Sequence, residues 1–371
     1  MTHHPNGWLA VRIVHLPGGC RAVNNLDPGV KFEPFAVNGK IATITTRAYA
    51  TLFADLHTLG LKPFGVDFYS TGLEIKRLIP PDWRPFHQWS DTTWPCSDEA
   101  DRWAQIGHAA FSRKDARFWD VSSRVSHQIR VCSWRLRQVS EAYREQLFAK
   151  ASREKHSAGT RFEDGFTWLA YLSIQAFLVD ASVLRDYLAE FYAQHLCPDP
   201  GLLVGRPITS MGSLKKRVLD KITSPDTVTN MLQVATSSGG WLRKLGSYRD
   251  LVVHSAPLAK ARGRLVAVLE ELSLGEGALP AVRLPIPADP DDVSKSRASG
   301  SHFDDFENQY ELFVRANHGD AESSDGLNYC YGVLEDLVGL ARQIGIMSPI
   351  PPEIPHFDKT NIIGEIKVSR C

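Results

Sequence analysis

Within six residues the chain sets an arginine, an aspartate and a histidine: Arg249, Asp250 and His254, in the stretch Arg249-Asp250-Leu251-Val252-Val253-His254. Gly239-Gly240 precedes the stretch and Pro257 follows it, so the spacing predicts a helix between two breakers. At about 100° per residue, Asp250 and His254 share one face, with Arg249 on its flank and Leu251 and Val252 turned toward a core. A guanidinium keeps its proton and offers a fork of donors to a phosphoryl group gaining charge. An imidazole titrates near neutrality and can take or give a proton. Asp250 is placed to orient either group, and His254 falls in the last helical turn, where the dipole favours the imidazolium. Together the three can bind a phosphate and move a proton.

The neighbourhood is basic. Lys215, Lys216, Arg217, Arg243 and Lys244 are candidate contacts for RNA phosphates. From Met211 to Arg264 ten basic residues stand against three acidic ones, a net of +7, and from Ala288 to Asp325 three stand against ten, a net of −7. The whole chain balances at 42 against 42, which excludes a protein that coats nucleic acid indiscriminately but not a local basic site. An acidic stretch from Asp289 to Glu311 that follows a basic one can fold back over it at small loop-closure cost. The six cysteines form no C-x-x-C pair, there is no His-Glu-x-x-His helix, and Leu16-Pro17-Gly18-Gly19-Cys20 lacks the spacing and lysine of a phosphate loop. No metal and no cofactor are expected. No signal-peptide core and no apolar run near 18 residues is read, so a cytoplasmic chain with reduced thiols and no membrane contact is expected.

Two kinds of element must position the motif. The first ~118 residues read as mixed: a strand at Leu9–Val14, a hairpin of Phe35–Val37 and Lys40–Thr45 turning at Asn38-Gly39, a helix over Arg47–Thr58, strand again from Phe64 to Leu78, a packed irregular loop with Trp83, Trp89 and Trp94 from Pro80 to Cys96, and a helix capped by Ser97-Asp98. The middle is helical. Val125, Ile129, Cys132, Leu136, Val139, Tyr143 and Leu147 recur at steps of three and four, as do Phe166 through Phe191 after a polar loop, predicting two long antiparallel helices. Asp180 lies on the second apolar stripe and needs a partner. Shorter helices follow at Leu214–Ile222 and from Ser224-Pro225-Asp226 to Ala235. Residues 265–284 admit a helix or a hairpin, with the hairpin preferred; 288–302 read as loose; Asn328–Ile344 is a last helix, with a strand-like tail at Ile362–Val368.

The order of two long helices, shorter ones and then the motif helix, with Arg249, Asp250 directly after it and His254 four residues further on, resembles the HEPN superfamily of helical-bundle proteins of prokaryotic defence and toxin systems. Arg102 and His108 match the loose spacing as well, but Trp103 follows the arginine and no long helix pair precedes it. The resemblance covers about three fifths of the chain. It implies a composite site across a homodimer, cleaving RNA without a metal. Regulation through a tyrosine two residues after the histidine, which some members would imply, is closed here by Ala256. The expected fold is α+β, mainly α: an N-terminal mixed module (1–118), a HEPN-like bundle (119–345) with a possible β-hairpin insertion, and a C-terminal tail (346–371). The expected function is single-stranded RNA cleavage by 2′-OH attack. The alternative is a non-catalytic HEPN-like module that binds nucleotide, RNA or a protein.

Overall fold

The computed structural model describes residues 11–24, 29–36, 38–46, 49–85, 94–151, 157–255, 258, 265–275, 277–299 and 323–356. The fold is α+β and mainly α, an N-terminal sheet followed by helices. Strands β1 (Val11–His15), β2 (Arg21–Asn24), β3 (Gly29–Glu33), β4 (Thr43–Thr45), β5 (Gly65–Tyr69) and β6 (Asp82–Pro85) make one antiparallel sheet in the order β4-β3-β2-β1-β5-β6, with α1 (Tyr49–Thr58) between β4 and β5. The hairpin around Asn38-Gly39 exists, but its strands are β3 and β4. Pro34 cannot donate to a ladder, so β3 stops before it and Phe35 and Ala36 lie outside the strand. Nor does strand continue from Tyr69 to Leu78. Thr71 and Glu74 close a capping box there and start the short helix α2 (Gly72–Ile75). The expected loop after Pro80 holds β6, whose Trp83 is buried and donates its indole N–H to the Ser133 carbonyl (2.9 Å). Trp94 packs edge-on against Phe53 and Phe68; Trp89 and the Ile362–Val368 tail lie outside the described residues.

Helix α3 (Pro95–Ser112) begins with Pro95 in its first turn, ahead of the expected Ser97-Asp98 cap, because a proline there lacks only an N–H that would have no partner anyway. Asp115 accepts from the Phe118 N–H (3.1 Å) and so caps α4 (Ala116–Ala151). Helix α5 (Gly165–His195) returns antiparallel, as three cross-pairs show: Arg124 with Glu190 (2.9 Å), Arg135 with Asp180 (2.6 Å) and Gln146 with Asp164 (3.2 Å). Asp180 thus finds its partner in Arg135 and braces the helix pair. The expectation of no long apolar run fails on α5, which is long and apolar enough to cross a membrane, with a mean hydropathy of 1.4 over an 18-residue window. Half of that window is buried in the bundle, and Ala170, Ile174, Phe177, Leu178 and Ala181 supply core.

Helices α6 (Met211–Arg217) and α7 (Thr227–Thr236) follow, α7 capped by Asp226. Then come α8 (Trp241–Asp250) and the antiparallel hairpin of β8 (Ala267–Leu274) and β9 (Gly277–Arg283), which the two-residue strand β7 (Arg161–Phe162) joins at one edge. Residues 288–302 are not loose throughout. Asp289 accepts from the Asp291 N–H (2.9 Å) and starts α9 (Pro290–Ser299), which buries Val293. β10 (Pro285–Pro287) pairs with β11 (Ser323–Asp325), and α10 (Gly326–Ile346) completes the bundle.

The Leu16–Cys20 turn is where these layers meet, and the core runs unbroken from the sheet into the helices. A Cβ on Gly18 would lie 2.5 Å from the Ala281 Cβ of β9, and one on Gly19 would lie 2.6 Å from the Tyr143 carbonyl oxygen of α4. Both glycines have positive φ, 66° and 85°. Close by, Asp325 accepts from the Tyr143 hydroxyl (2.7 Å), the Leu284 N–H (3.2 Å) and the Asn328 N–H (2.9 Å), tying α4, the end of β9 and the start of α10 together. Gly19→Ala is therefore expected to destabilise by more than ~2 kcal/mol in urea unfolding. Gly39→Ala, at a similar φ with nothing within 4 Å, should cost only the left-handed backbone strain of about 1–2 kcal/mol, less than Gly19→Ala. Equal losses would contradict the wedge described for this turn.

Candidate functional site

Helix α8 starts at a corner only glycine can make. Gly239 has φ 81°, and a Cβ on Gly240 would lie 2.2 Å from the Ala235 carbonyl oxygen. The helix buries Leu242, Leu245, Tyr248 and Leu251, three residues apart, and packs on α5 and α7. The Tyr248 hydroxyl donates to the Pro287 carbonyl, and its ring meets that of Tyr329 at 4.7 Å. These contacts fix the buried side and leave the motif on the outer edge. Arg249 is 40% exposed and pairs with Asp250 (2.8 Å), itself 64% exposed. Asp250 therefore orients the arginine rather than the histidine. His254 is exposed and has no hydrogen-bond partner among the described residues.

The motif helix does not stay α to its end. Leu251–Ser255 form a π turn. In an α-helix His254, five residues after Arg249, would sit about 140° round from it. The wider turn, with its i→i+5 hydrogen bonding, reduces that angle, and such turns recur at functional sites. Val253 is 48% exposed between the two polar groups.

The basic neighbours are mostly engaged. Lys215 pairs with Asp220, and Arg217 donates to the carbonyls of Arg206 (2.6 Å) and Val204 (3.1 Å), closing its own loop. Lys244 lies over the rings of Tyr248 and Tyr329 at 5.9 and 5.7 Å. Arg243 meets Asp291 of α9 at 3.6 Å. Lys216 alone of the five is exposed without a partner among the described residues. Helices α6 and α8 both pack on α5, reaching it at Asp186 and Arg185, so Lys215–Arg217 and the motif are neighbours on one scaffold, not one cluster. Helix α9 packs against both α8 and the π turn, and its acidic start meets α8 at Arg243. The acidic residues from 300 to 311, like Ala256, lie outside the described residues. Arg102 turns to Glu99 (3.3 Å), and His108 lines a different groove with Phe111 and Trp119, so the second spacing match builds no joint site.

A second polar constellation escaped the sequence reading. His15 of β1 contacts Ser140 (Nδ1, 3.0 Å) and Asp67 of β5 (Nε2, 3.2 Å), with Glu141 at 3.6 Å. Arg137 grips Asp67 through two bonds of 2.7 Å, and the fully buried Arg21 reaches Glu141 (3.2 Å) and the Ser140 carbonyl (2.9 Å). Arg137, Ser140, Glu141 and Arg144 recur at three and four residues along α4, a pattern that in sequence resembles a solvated stripe. Only the β1–β5 register, which sets Ile13 opposite Asp67, shows that the stripe faces the sheet. One ligand atom each from His15, Asp67 and Glu141 lies within 4.8 Å of the others. Two guanidiniums already hold the carboxylates, so a dication there would face two fixed positive charges, and the donor set fits a charge brace better than a metal site.

Burial first, then the Arg21 charge, pushes the His15 pKa down to about 4 against the pull of Asp67 and Glu141. A neutral ring is consistent with both contacts, Nε2–H donating to Asp67 and Nδ1 accepting from the Ser140 hydroxyl. Burial would raise Asp67, but the hydrogen bonds from His15 and Arg137 outweigh it and hold the pKa at about 2.

No family model, no curated protein and no solved structure matches the chain.

The unfolded chain protonates His15 near its ordinary 6.5, whereas the folded chain resists until about 4. Stability should be full above that interval and fall as pH drops through it, by roughly 3 kcal/mol. The Asp67 contribution goes only below about pH 4. His15→Gln should flatten the upper interval, read as urea midpoints between pH 7 and 4; parallel curves for variant and parent would contradict the brace.

Proposed function

We propose that the protein is a metal-independent ribonuclease of a defence or toxin system, acting in the cytoplasm on single-stranded RNA at a site built from Arg249 and His254 and completed by a second copy of the chain. The observation that carries this reading is the state of His254: exposed, five residues after Arg249, on a widened turn, and with no hydrogen-bond partner for its ring nitrogens among the described residues. RNA brings its own nucleophile. One imidazole takes the 2′-OH proton as that oxygen attacks phosphorus, and the P–O5′ bond breaks. A second imidazole, from the other copy, protonates the leaving 5′-oxygen, giving a 2′,3′-cyclic phosphate and a 5′-OH. Arg249 holds the phosphoryl oxygens as charge builds on them. One histidine cannot serve both ends of the same displacement, and a two-fold axis supplies the second.

Apolar surface supports a second copy. Trp168, Leu169, Leu172 and Val179 form an exposed apolar stripe on α5 at helical spacing. That half of α5 lies near the motif end of α8, because Tyr171 and Tyr248 donate to the two ends of the same strand, at Pro285 and Pro287. Val253, on the motif turn, is also exposed.

His254→Ala and Arg249→Ala are each expected to reduce RNA cleavage by at least about a hundredfold with the melting temperature unchanged. Asp250→Asn should do less, since an amide still orients the arginine. Leu172→Asp should halve the mass seen by light scattering, from twice 41.3 kDa to 41.3 kDa, and lower cleavage with it. RNA retained by the parent but never cut would favour the binding-only alternative. Cleavage at the parental rate by both alanine variants would remove Arg249 and His254 from the site.

The Arg243–Asp291 contact predicts a charge brake. Asp289, Asp291 and Asp292 changed together to Asn should tighten RNA binding at low salt, with the gain shrinking as salt rises. Affinity unchanged across the salt range would leave α9 as packing alone.

A further inference from the structure

Between α4 and the turn after α2 the surface opens into a cleft of about 450 Å³, in the size range of small-molecule sites. Arg137, Glu141 and Arg144 line its α4 wall, and Glu74, Arg77 and the apolar run Leu78 to Pro81 line the other. Most charges here are spoken for. Arg144 faces Glu33 (3.0 Å), Glu141 faces Arg21, and Asp67 is filled by Arg137. The Glu74 carboxylate is taken by the Ser70 and Thr71 N–H groups (2.5 and 2.8 Å). Donors not taken up among the described residues remain, including some on Arg137 and Arg77. The Arg137 fork is locked by its two bonds to Asp67, and its Nη1 has no hydrogen-bond partner among the described residues. Arg77 is exposed and has no ion-pair partner among them.

The backbone of Arg77 gives the second observation. Its N–H bonds to the Glu74 carbonyl and the Leu78 N–H to the Leu73 carbonyl, both at 2.9 Å, the double closure that ends a helix with a left-handed residue. Glycine is the ordinary occupant of that position; here an arginine holds φ 58°. The strained residue is also the one with the uncommitted guanidinium, and strain of this kind concentrates at ligand clamps. Beside it Leu78 and Ile79 remain exposed, a flat apolar lip next to free donors.

We propose that this cleft binds a nucleoside phosphate, with the phosphate on Arg77 and Arg137 and the base and ribose against Leu78, Ile79 and Pro80. Fixed guanidinium donors recognise a phosphate oxyanion, and the lip gives an aromatic base an apolar surface that inorganic phosphate cannot use. The site is separate from the Arg249 motif and does not depend on the reading given to it.

The test is calorimetric titration of the full-length protein with AMP, adenosine and inorganic phosphate. AMP should bind saturably, and adenosine and phosphate each at least about tenfold more weakly. Arg77→Gly removes the guanidinium and relieves the left-handed backbone, so it should weaken AMP at least about tenfold while the melting temperature holds or rises. Arg249→Ala with His254→Ala should bind AMP as the parent does. Absence of AMP binding at millimolar concentration, adenosine binding equal to AMP, or undiminished binding in Arg77→Gly would overturn the proposal. Phosphate as tight as AMP would overturn the nucleoside part, and loss of binding in the Arg249/His254 variant would assign the ligand to the motif instead.

Discussion

The sheet can lie on α4 only because the charges buried between them answer one another. Arg21 and Asp67 are almost wholly out of water, and an unpaired ion in that position would cost several kcal/mol. Arg137 closes on Asp67 with two bonds, Arg21 closes on Glu141, and a neutral His15 bridges Asp67 to Ser140. The network fixes the register of β1 against β5 and the rotation of α4 together, since turning α4 by one residue would remove Arg137, Ser140 and Glu141 from the seam at once. The glycine wedge at Gly18 and Gly19 then sets how closely the hairpin and α4 approach.

From that fixed helix the rest of the scaffold follows. α5 is held antiparallel to α4 by three polar pairs along its length, and α6, α8 and α10 pack on α5. The motif therefore stands on the outermost layer of the bundle. Its inner side is fixed by Leu245, Tyr248 and Leu251, while Arg249 and His254 keep their polar ends in water. A site of this kind is rigid where it is anchored and incomplete where it is exposed, which suits completion by a second surface. The acidic start of α9 meets the same helix at Arg243, so an anion approaching Arg243 competes with Asp291 for it.

Much of this was legible from residue order. The long helices declared themselves through apolar steps of three and four, and Asp226 through the cap it makes. Residues 265–284 favour the β8–β9 hairpin over a helix, and the spacing places Arg249 on the polar edge of its helix with Asp250 beside it. Other parts were hidden for physical reasons. α9 is a weakly apolar run of Asp, Ser and Lys with Val293 as its buried anchor, so no periodicity announces it. β6 sits among tryptophans and prolines, and its strand character comes from pairing with β5 rather than from its own composition. No residue preference in Leu251–Ser255 marks the π turn in the sequence. The seam network joins His15 to partners 52 and 125 residues away, and a polar stripe on α4 looks solvated until the sheet is laid on it.

The central claim, that Arg249 and His254 cleave RNA through its own 2′-OH, is tested most directly by the ends of the products. A single-stranded RNA would be incubated with the protein in the presence of a chelator, beside the same strand carrying 2′-deoxy sugars, and the termini read by mass spectrometry. The account predicts 2′,3′-cyclic phosphate and 5′-hydroxyl ends from the RNA and an intact deoxy strand. Cleavage of the deoxy strand, 3′-hydroxyl ends, or activity lost to the chelator would contradict it.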